Sequence, residues 1–179
     1  MSTHFLSKLA NITCLAFDVD GVFTDGTVTI MPDGAQLRKM MVKDGYALQQ
    51  AMKAGLRVVI ITGGREPSVE KRFNYLGVQD VYLGATDKLN TLDEYLLTWD
   101  VAREEVLYMG DDLPDYEVMQ YAGLTACPAD AAKEIIAISD YVSDKKGGFG
   151  CVRDVLEKLL QVQGQWFSEE NAKTDSTSS

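Results

Sequence analysis

Asp18 and Asp20 close a nearly continuous apolar run, residues 12–19, and stand two positions apart. On an extended strand such positions share one face, so the two carboxylates repel unless a cation or a proton intervenes. Ionised carboxylates rarely occupy a buried strand end without a partner, so chemistry is the better reading of the pair. A second apolar run, 106–110, leads into Asp111 and Asp112, with Asp115 a turn later. A third, 56–62, ends in Thr62-Gly63-Gly64, and Lys88 precedes the Asp111 group. Brought to one sheet edge, these carboxylates make an oxygen-only donor set of the kind that suits Mg2+. Mg2+ keeps some water and takes substrate phosphate beside a few carboxylates, so an acidic site can still gather an anion. A carboxylate in line with phosphorus can act as nucleophile, while metal and lysine offset charge on the transferring oxygens.

The groups are positioned by alternating strands and helices. Apolar runs at 12–19, 56–62, 81–83, 106–110 and 124–128 read as strands covered on both faces. Between them, Asp44 caps a helix over 44–54 that Gly55 stops, and Glu66-Pro67 opens another that Gly77 stops. Residues 87–98 carry Leu89, Leu92, Leu96 and Leu97 at helical spacing, and 114–122 form a helix ended by Gly123. Val152, Val155, Leu156, Leu159 and Leu160 make the apolar stripe of a last helix. This alternation predicts a parallel sheet with helices on both faces, whose ligands bind outside the C-terminal strand ends. Residues 27–42 break the rhythm: two extended stretches flank Met31-Pro32-Asp33-Gly34 and read as an inserted β-hairpin. A lone hairpin is marginal in water, so it should pack on another surface, such as a second subunit.

At 179 residues the chain fits one domain, expected over 1–163, with a flexible polar tail over 164–179. Seventeen Lys and Arg against 27 Asp and Glu give a net charge of −10, which speaks against a dedicated binder of nucleic acid or anionic membrane. The single histidine, His4, all but excludes a Ser-His-Asp triad, a Cys-His pair and a His-rich zinc site. Cys14, Cys127 and Cys151 are odd in number and widely spaced, with no CxxC, so they read as buried reduced thiols. No apolar run approaches the roughly 18 residues of a membrane span, and the N-terminus lacks the layout of a signal peptide. The expected location is the cytoplasm.

The ordered series DVDGVFTDG, ITGG, Lys88 and GDDLPD resembles the four motifs of the haloacid dehalogenase-like phosphatase superfamily, over residues 12–127. Between Asp25 and Thr62 there is room for the hairpin beside the helix over 44–54 and the strand that follows it, but not for a cap domain. The chain is therefore similar to the capless branch that contains the 3-deoxy-D-manno-octulosonate 8-phosphate phosphatases. VKDGYAL, GATDKL, GDDLPDYEVM and GGFGCVRDVLEKLL extend the likeness over most of the chain before the tail. The resemblance implies an α/β fold, a doubly wound, mostly parallel Rossmann-like sheet. It also implies an Mg2+-dependent phosphomonoester hydrolase of lipopolysaccharide sugar biosynthesis, working through an aspartyl phosphate on an eight-carbon sugar-acid phosphate. By it, Asp18 is the nucleophile, and Asp20 is the general acid and then base, with its carbonyl on the metal. Thr62 binds phosphate, and Lys88 holds nucleophile and phosphate. Asp111 is a metal ligand, and Asp112 or Asp115 acts through water or positions its neighbours. Lys43, Asp44, Gly63, Arg65 and Arg72 are expected at the substrate. The resemblance also implies a homotetramer associating through 27–42, with a C-terminal segment entering a neighbour's site.

Three positions depart from that branch. Gly64 stands where members often have Arg, Met41 where they often have Asn, and Phe149 where Arg is common. Nine-carbon ketoacid phosphates therefore stay open as substrates. A receiver-like phospho-acceptor module also uses an aspartate, Mg2+ and a lysine, and Asp20 is what separates the two readings. Plainer roles stand beside these. Asp44 is a good helix cap in any case, and Arg65 and Arg72, seven residues apart, can face solvent. Gly147, Gly148 and Gly150 mark a turn more readily than a phosphate cradle.

Overall fold

The computed structural model describes residues 3–167, so most of the expected tail, 168–179, lies outside the described residues. The chain opens with α1 (Thr3–Leu9) and β1 (Cys14–Phe17), then a hairpin of β2 (Thr29–Ile30) and β3 (Gln36–Leu37). It continues through α2 (Val42–Lys53), β4 (Arg57–Ile61), α3 (Pro67–Leu76) and β5 (Asp80–Tyr82). The second half runs α4 (Lys88–Trp99), β6 (Val106–Met109), α5 (Tyr116–Tyr121) and β7 (Leu124–Cys127). It closes with α6 (Lys133–Ile138), β8 (Tyr141–Val142) and α7 (Cys151–Val162).

Six strands form one sheet in the order β5-β4-β1-β6-β7-β8, with every neighbouring pair parallel. Side chains alternate across it and supply two cores. Leu15, Phe17, Val58, Ile60, Leu107 and Met109 pack with residues of α1, α2, α3 and α7 on one face. Cys14, Ala16, Val59, Ile61, Val106 and Tyr108 pack with α4, α5 and α6 on the other. Burial on both faces is why these segments read as unbroken apolar runs. All three cysteines are buried and free, as their spacing suggests. From β1 the chain moves outward to β4 and β5, then returns through α4 to β6 on the opposite side of β1. That reversal leaves a crevice beyond the C-terminal end of β1, the usual ligand position in such sheets.

The hairpin after β1 is paired only through Thr29 with Leu37 and Ile30 with Gln36, less than the two extended stretches suggest. The turn itself is as read, with Met31 N–H donating to Ala35 O at 2.8 Å. Strand β8 and helices α1 and α6 go unnoticed in the sequence because two to seven residues are too few to establish a period. Past residue 163 the chain turns back on α7: the N–H groups of Gln165 and Trp166 donate to Leu160 O, and Trp166 packs against the first core.

Helix α2 starts at Val42, two residues ahead of the expected start, so Asp44 does not cap it. Asp44 is buried in the first turn, and its Oδ1 accepts from Arg153 N–H at 2.7 Å. The N-cap of α7 is Gly150, at φ 99° and with no side chain to offer, so Asp44 supplies the missing acceptor from another helix. Among the described residues its Oδ2 has no hydrogen-bond partner, and burial pushes the carboxyl up to about 6. A folded value above the ordinary 3.8 means that the native state binds this proton more tightly than the unfolded chain. The associated stability is present below about pH 4 and is lost as pH rises through about 6. Asp44→Asn, which keeps an acceptor and drops the charge, should flatten that dependence. Asp44→Ala should cost about 1–2 kcal/mol through the lost cap. Thermal melts of both variants at about pH 4.5 and about pH 7.5 check this, using the wild-type slope as reference.

Candidate active site

The crevice receives residues from four strand ends. Asp18 follows β1, and its N–H donates to Met109 O at 3.0 Å, carrying the β1–β6 ladder one step further. Thr62 follows β4 and donates its N–H to Tyr82 O at 3.0 Å, while Lys88 opens α4 beyond β5. Asp111 and Asp112 follow Gly110 at the end of β6. A cavity of about 390 Å³ is lined by Asp18, Asp20, Thr62, Gly63, Lys88, Asp111, Asp112 and Asp115.

Lys88 is the hub. Its buried Nζ donates to Asp18 Oδ1 and to Asp115 Oδ1, both at 2.7 Å. Burial pulls the ammonium pKa down, but the charges of Asp18 and Asp115 outweigh it, and the net shift is upward. Asp115 is heavily engaged: Oδ1 also accepts from Tyr108 OH at 2.8 Å, and Oδ2 accepts from Asp111 N–H at 3.2 Å. Burial first and the Asp115 charge second push Asp18 up to about 7. Burial and the neighbouring Asp18, Asp115 and Asp112 charges push Asp111 up to about 8.

Carboxylate oxygens of Asp18, Asp111 and Asp115 all lie within 4.8 Å of one another. Three carboxylates against one ammonium leave two negative charges in excess, which a divalent cation would balance. Asp115 already accepts from Lys88, Tyr108 and Asp111 N–H, so Asp18 and Asp111 have the more free lone pairs to offer such an ion. The loop is shaped to admit Asp111: Gly21 has φ 87°, and a Cβ there would lie 1.9 Å from Asp111 Oδ2. The donors are oxygens only, a hard set that fits Mg2+. Asp112 lines the cavity outside this trio, and Asp115, left in the sequence as one of two options, stands inside it.

The remaining sequence candidates fall elsewhere in this chain. Lys43 and Arg65 are exposed, Arg65 lying along Gly84. Asp44 is occupied with α7, as described above. Arg72 is half-buried on α3 and lines a separate hollow of about 260 Å³ with Arg38 and Met40. The glycines of GGFG are no phosphate cradle. Gly147 packs so closely on the loop after β1 that a Cβ would lie 1.9 Å from Gly21 O, and Gly148 N–H donates to Val22 O at 3.0 Å. Two site-facing residues escape the sequence reading. Tyr108 is the one polar side chain within the apolar run of β6, a usable signal for a residue that bonds Asp115. Arg38, in the hairpin, grips Asp20, and nothing local marks it.

A parallel sheet whose C-terminal edge gathers a lysine-bridged carboxylate cluster, with an aspartate pair following its central strand, defines the class of haloacid dehalogenase-like hydrolases. A profile of haloacid dehalogenase-like hydrolases matches residues 77–156. The curated relative KdsC of Salmonella typhi, a 3-deoxy-D-manno-octulosonate 8-phosphate phosphatase, is 40% identical over 92% of this chain and 88% of its own. The crystal structure of that phosphatase from Yersinia pestis is similar at TM-score 0.90 and 38% identity, over 92% of this chain and 89% of that one. The Moraxella catarrhalis phosphatase, solved with magnesium ion, phosphate ion and KDO, matches at TM-score 0.90 and 30% identity over 99% of both chains. The chain belongs to the 3-deoxy-D-manno-octulosonate 8-phosphate phosphatase family.

The raised values of Asp18 and Asp111 have a consequence for metal binding. Without a cation, protonation of this pair stabilises the fold, and that contribution is lost as pH rises through about 7 to about 8. A cation takes the place of the protons, so its binding releases them and tightens as pH rises. Metal-free protein should therefore melt lower at about pH 8.5 than at about pH 6.5, with Mg2+ restoring more at the higher pH. Thermal melts with chelator and with Mg2+ measure this; an Mg2+ shift equal at both pH values would contradict it.

Proposed function

We propose that the protein is an Mg2+-dependent phosphatase of 3-deoxy-D-manno-octulosonate 8-phosphate that works through an aspartyl phosphate on Asp18. The carrying observation is the buried Asp18 carboxylate, held 2.7 Å from Lys88 Nζ beside Asp111, with Asp20 on the same cavity. The Salmonella typhi and Moraxella catarrhalis relatives support the eight-carbon substrate over a nine-carbon one or a signalling module.

Asp18 attacks phosphorus as the bond from phosphorus to the sugar oxygen breaks, and Asp20 gives its proton to the leaving alcohol. Asp20 then takes a proton from water as that water attacks phosphorus and frees Asp18. Lys88 holds Asp18 in line and offsets phosphoryl charge, with Asp115 and Tyr108 fixing the ammonium. Thr62 Oγ accepts from Gly64 N–H at 3.1 Å, which leaves its hydroxyl hydrogen to donate to a phosphate oxygen. Asp18 and Asp111 would hold Mg2+, joined by the Asp20 carbonyl and, through water, Asp112; when bound, the ion supplies positive charge to the phosphoryl oxygens.

The test is phosphate release from eight- and nine-carbon ketoacid phosphates, with and without chelator. The eight-carbon compound should have the highest kcat/KM, and chelation should abolish turnover. Asp18→Asn should lose at least about 1000-fold in kcat, and Asp20→Asn about 100-fold or more on alkyl phosphates, with folds intact. Turnover that survives metal removal would refute the proposal.

We also propose a cytoplasmic homotetramer assembled on the 27–42 hairpin. No described helix is long and apolar enough to cross a membrane. Val28, Ile30, Met31 and Leu37 are exposed on a hairpin with two pairings, too little to stand alone. Light scattering should give four copies, and Ile30→Asp with Leu37→Asp should reduce the assembly while leaving the far-ultraviolet spectrum unchanged.

A further inference from the structure

Both oxygens of the Asp20 carboxylate accept from one side chain. Arg38 Nε donates to Oδ1 at 2.7 Å and Nη2 donates to Oδ2 at 3.0 Å. A two-armed guanidinium fixes the plane of a carboxylate as well as its place, which a lysine cannot do. Arg38 stands just past β3, and its side chain is 7% exposed. It is itself held, with Nη1 donating to Gln36 O at 3.4 Å and Nη2 approaching Gln36 Oε1 at 3.5 Å. The other group beside Asp20 is Thr24 Oγ, 3.5 Å from Oδ1, a looser contact. Gly64 lies beside the pair: a Cβ there would be 3.6 Å from both Arg38 Nη2 and Asp20 Oδ2, in ordinary contact with them.

We propose that Arg38 is the positioning residue of the acid/base step, reaching in from the hairpin to aim the Asp20 carboxylate at the leaving and attacking oxygens. The inference rests on the reading of Asp20 given above. In the first half-reaction the Asp18 oxygen–phosphorus bond forms and the phosphorus–sugar oxygen bond breaks. The Asp20 proton goes to that sugar oxygen, leaving the carboxylate that Arg38 grips by both oxygens. In the second half-reaction water oxygen bonds phosphorus, the bond to Asp18 breaks, and one Asp20 oxygen takes the water proton. One guanidinium arm then lets go while the other keeps the carboxyl group in place. Misplacing such a group by about 1 Å costs on the order of 100-fold in rate.

The experiment compares kcat/KM, which reports steps through alcohol release, for three substrates: 3-deoxy-D-manno-octulosonate 8-phosphate, a sugar phosphate without a carboxylate, and p-nitrophenyl phosphate. The last has a leaving group that needs no proton. Arg38→Ala should lower kcat/KM about 10- to 100-fold for both alkyl phosphates and less than about 3-fold for the aryl phosphate. Arg38→Lys should recover only part of the loss, and added guanidinium should partly rescue Arg38→Ala. An equal loss on all three substrates would place Arg38 on the phosphate or in the fold. A loss confined to the ketoacid would place it on the substrate carboxylate. Either result, or no loss at all, overturns the proposal. Asp20→Asn in parallel separates the two readings. If it keeps full turnover of the alkyl phosphates, the acid/base role of Asp20 fails; if it is inactive while Arg38→Ala is unimpaired, only the role of Arg38 fails.

Discussion

A buried ammonium lying 2.7 Å from two carboxylates, with a third close by, sets the terms for the whole catalytic edge. Lys88 can neutralise one of the three charges, and the protein leaves the rest uncompensated. In a dry interior such an excess is resisted by protonation, which is why Asp18 and Asp111 are pushed up to about 7 and about 8. A divalent ion is the natural complement to that excess, and its positive charge is what lets a phosphate approach. The same lysine that stabilises the cluster thus keeps it one cation short of balance.

Around this cluster the parallel sheet acts as a jig. Each strand ends at one level, so residues distant in sequence arrive together: Asp18 from β1, Thr62 from β4, Lys88 from the turn after β5 and Asp111 from β6. What the sheet does not supply is a roof. The chain provides a hairpin there, and Arg38 brings the hairpin's influence down to Asp20. An element that is marginal as structure is therefore tied by an ion pair to the aspartate that lines the cavity beside Asp18.

Most strands and most helices are legible in the sequence because two-sided burial leaves unbroken apolar runs and because Gly77, Asp87 and Gly123 punctuate the helices. The convergence of Asp18, Thr62 and Asp111 is legible for a related reason: polar residues that close such runs lie at the sheet's C-terminal edge, whereas Lys88 is legible only by its place in the ordered series of motifs. Partner choice is less visible. The acceptor of Asp44 looks the same in sequence whether it serves its own helix or α7, and only tertiary approach decides. Arg38 acts through a contact 18 residues away, so spacing along the chain carries no trace of it, whereas Tyr108 is marked as the one polar side chain in the run of β6. Arg65 and Arg72 share a helical spacing without sharing the cavity.

The register of the central strand also bears on how the molecule comes into being. Cys14 on β1 pairs with Arg57 on one side and with Val106 on the other. During synthesis β1 leaves the ribosome long before its second neighbour, β6, which lies beyond the hairpin, two further strands of the sheet and three α-helices. Until then Asp18 and Asp20 have neither Lys88 nor Asp111 beside them, and water must solvate both. Nascent fragments therefore hold no phosphate-transfer centre, and the wide sequence separation of these pairings favours slow, late assembly over stepwise local growth.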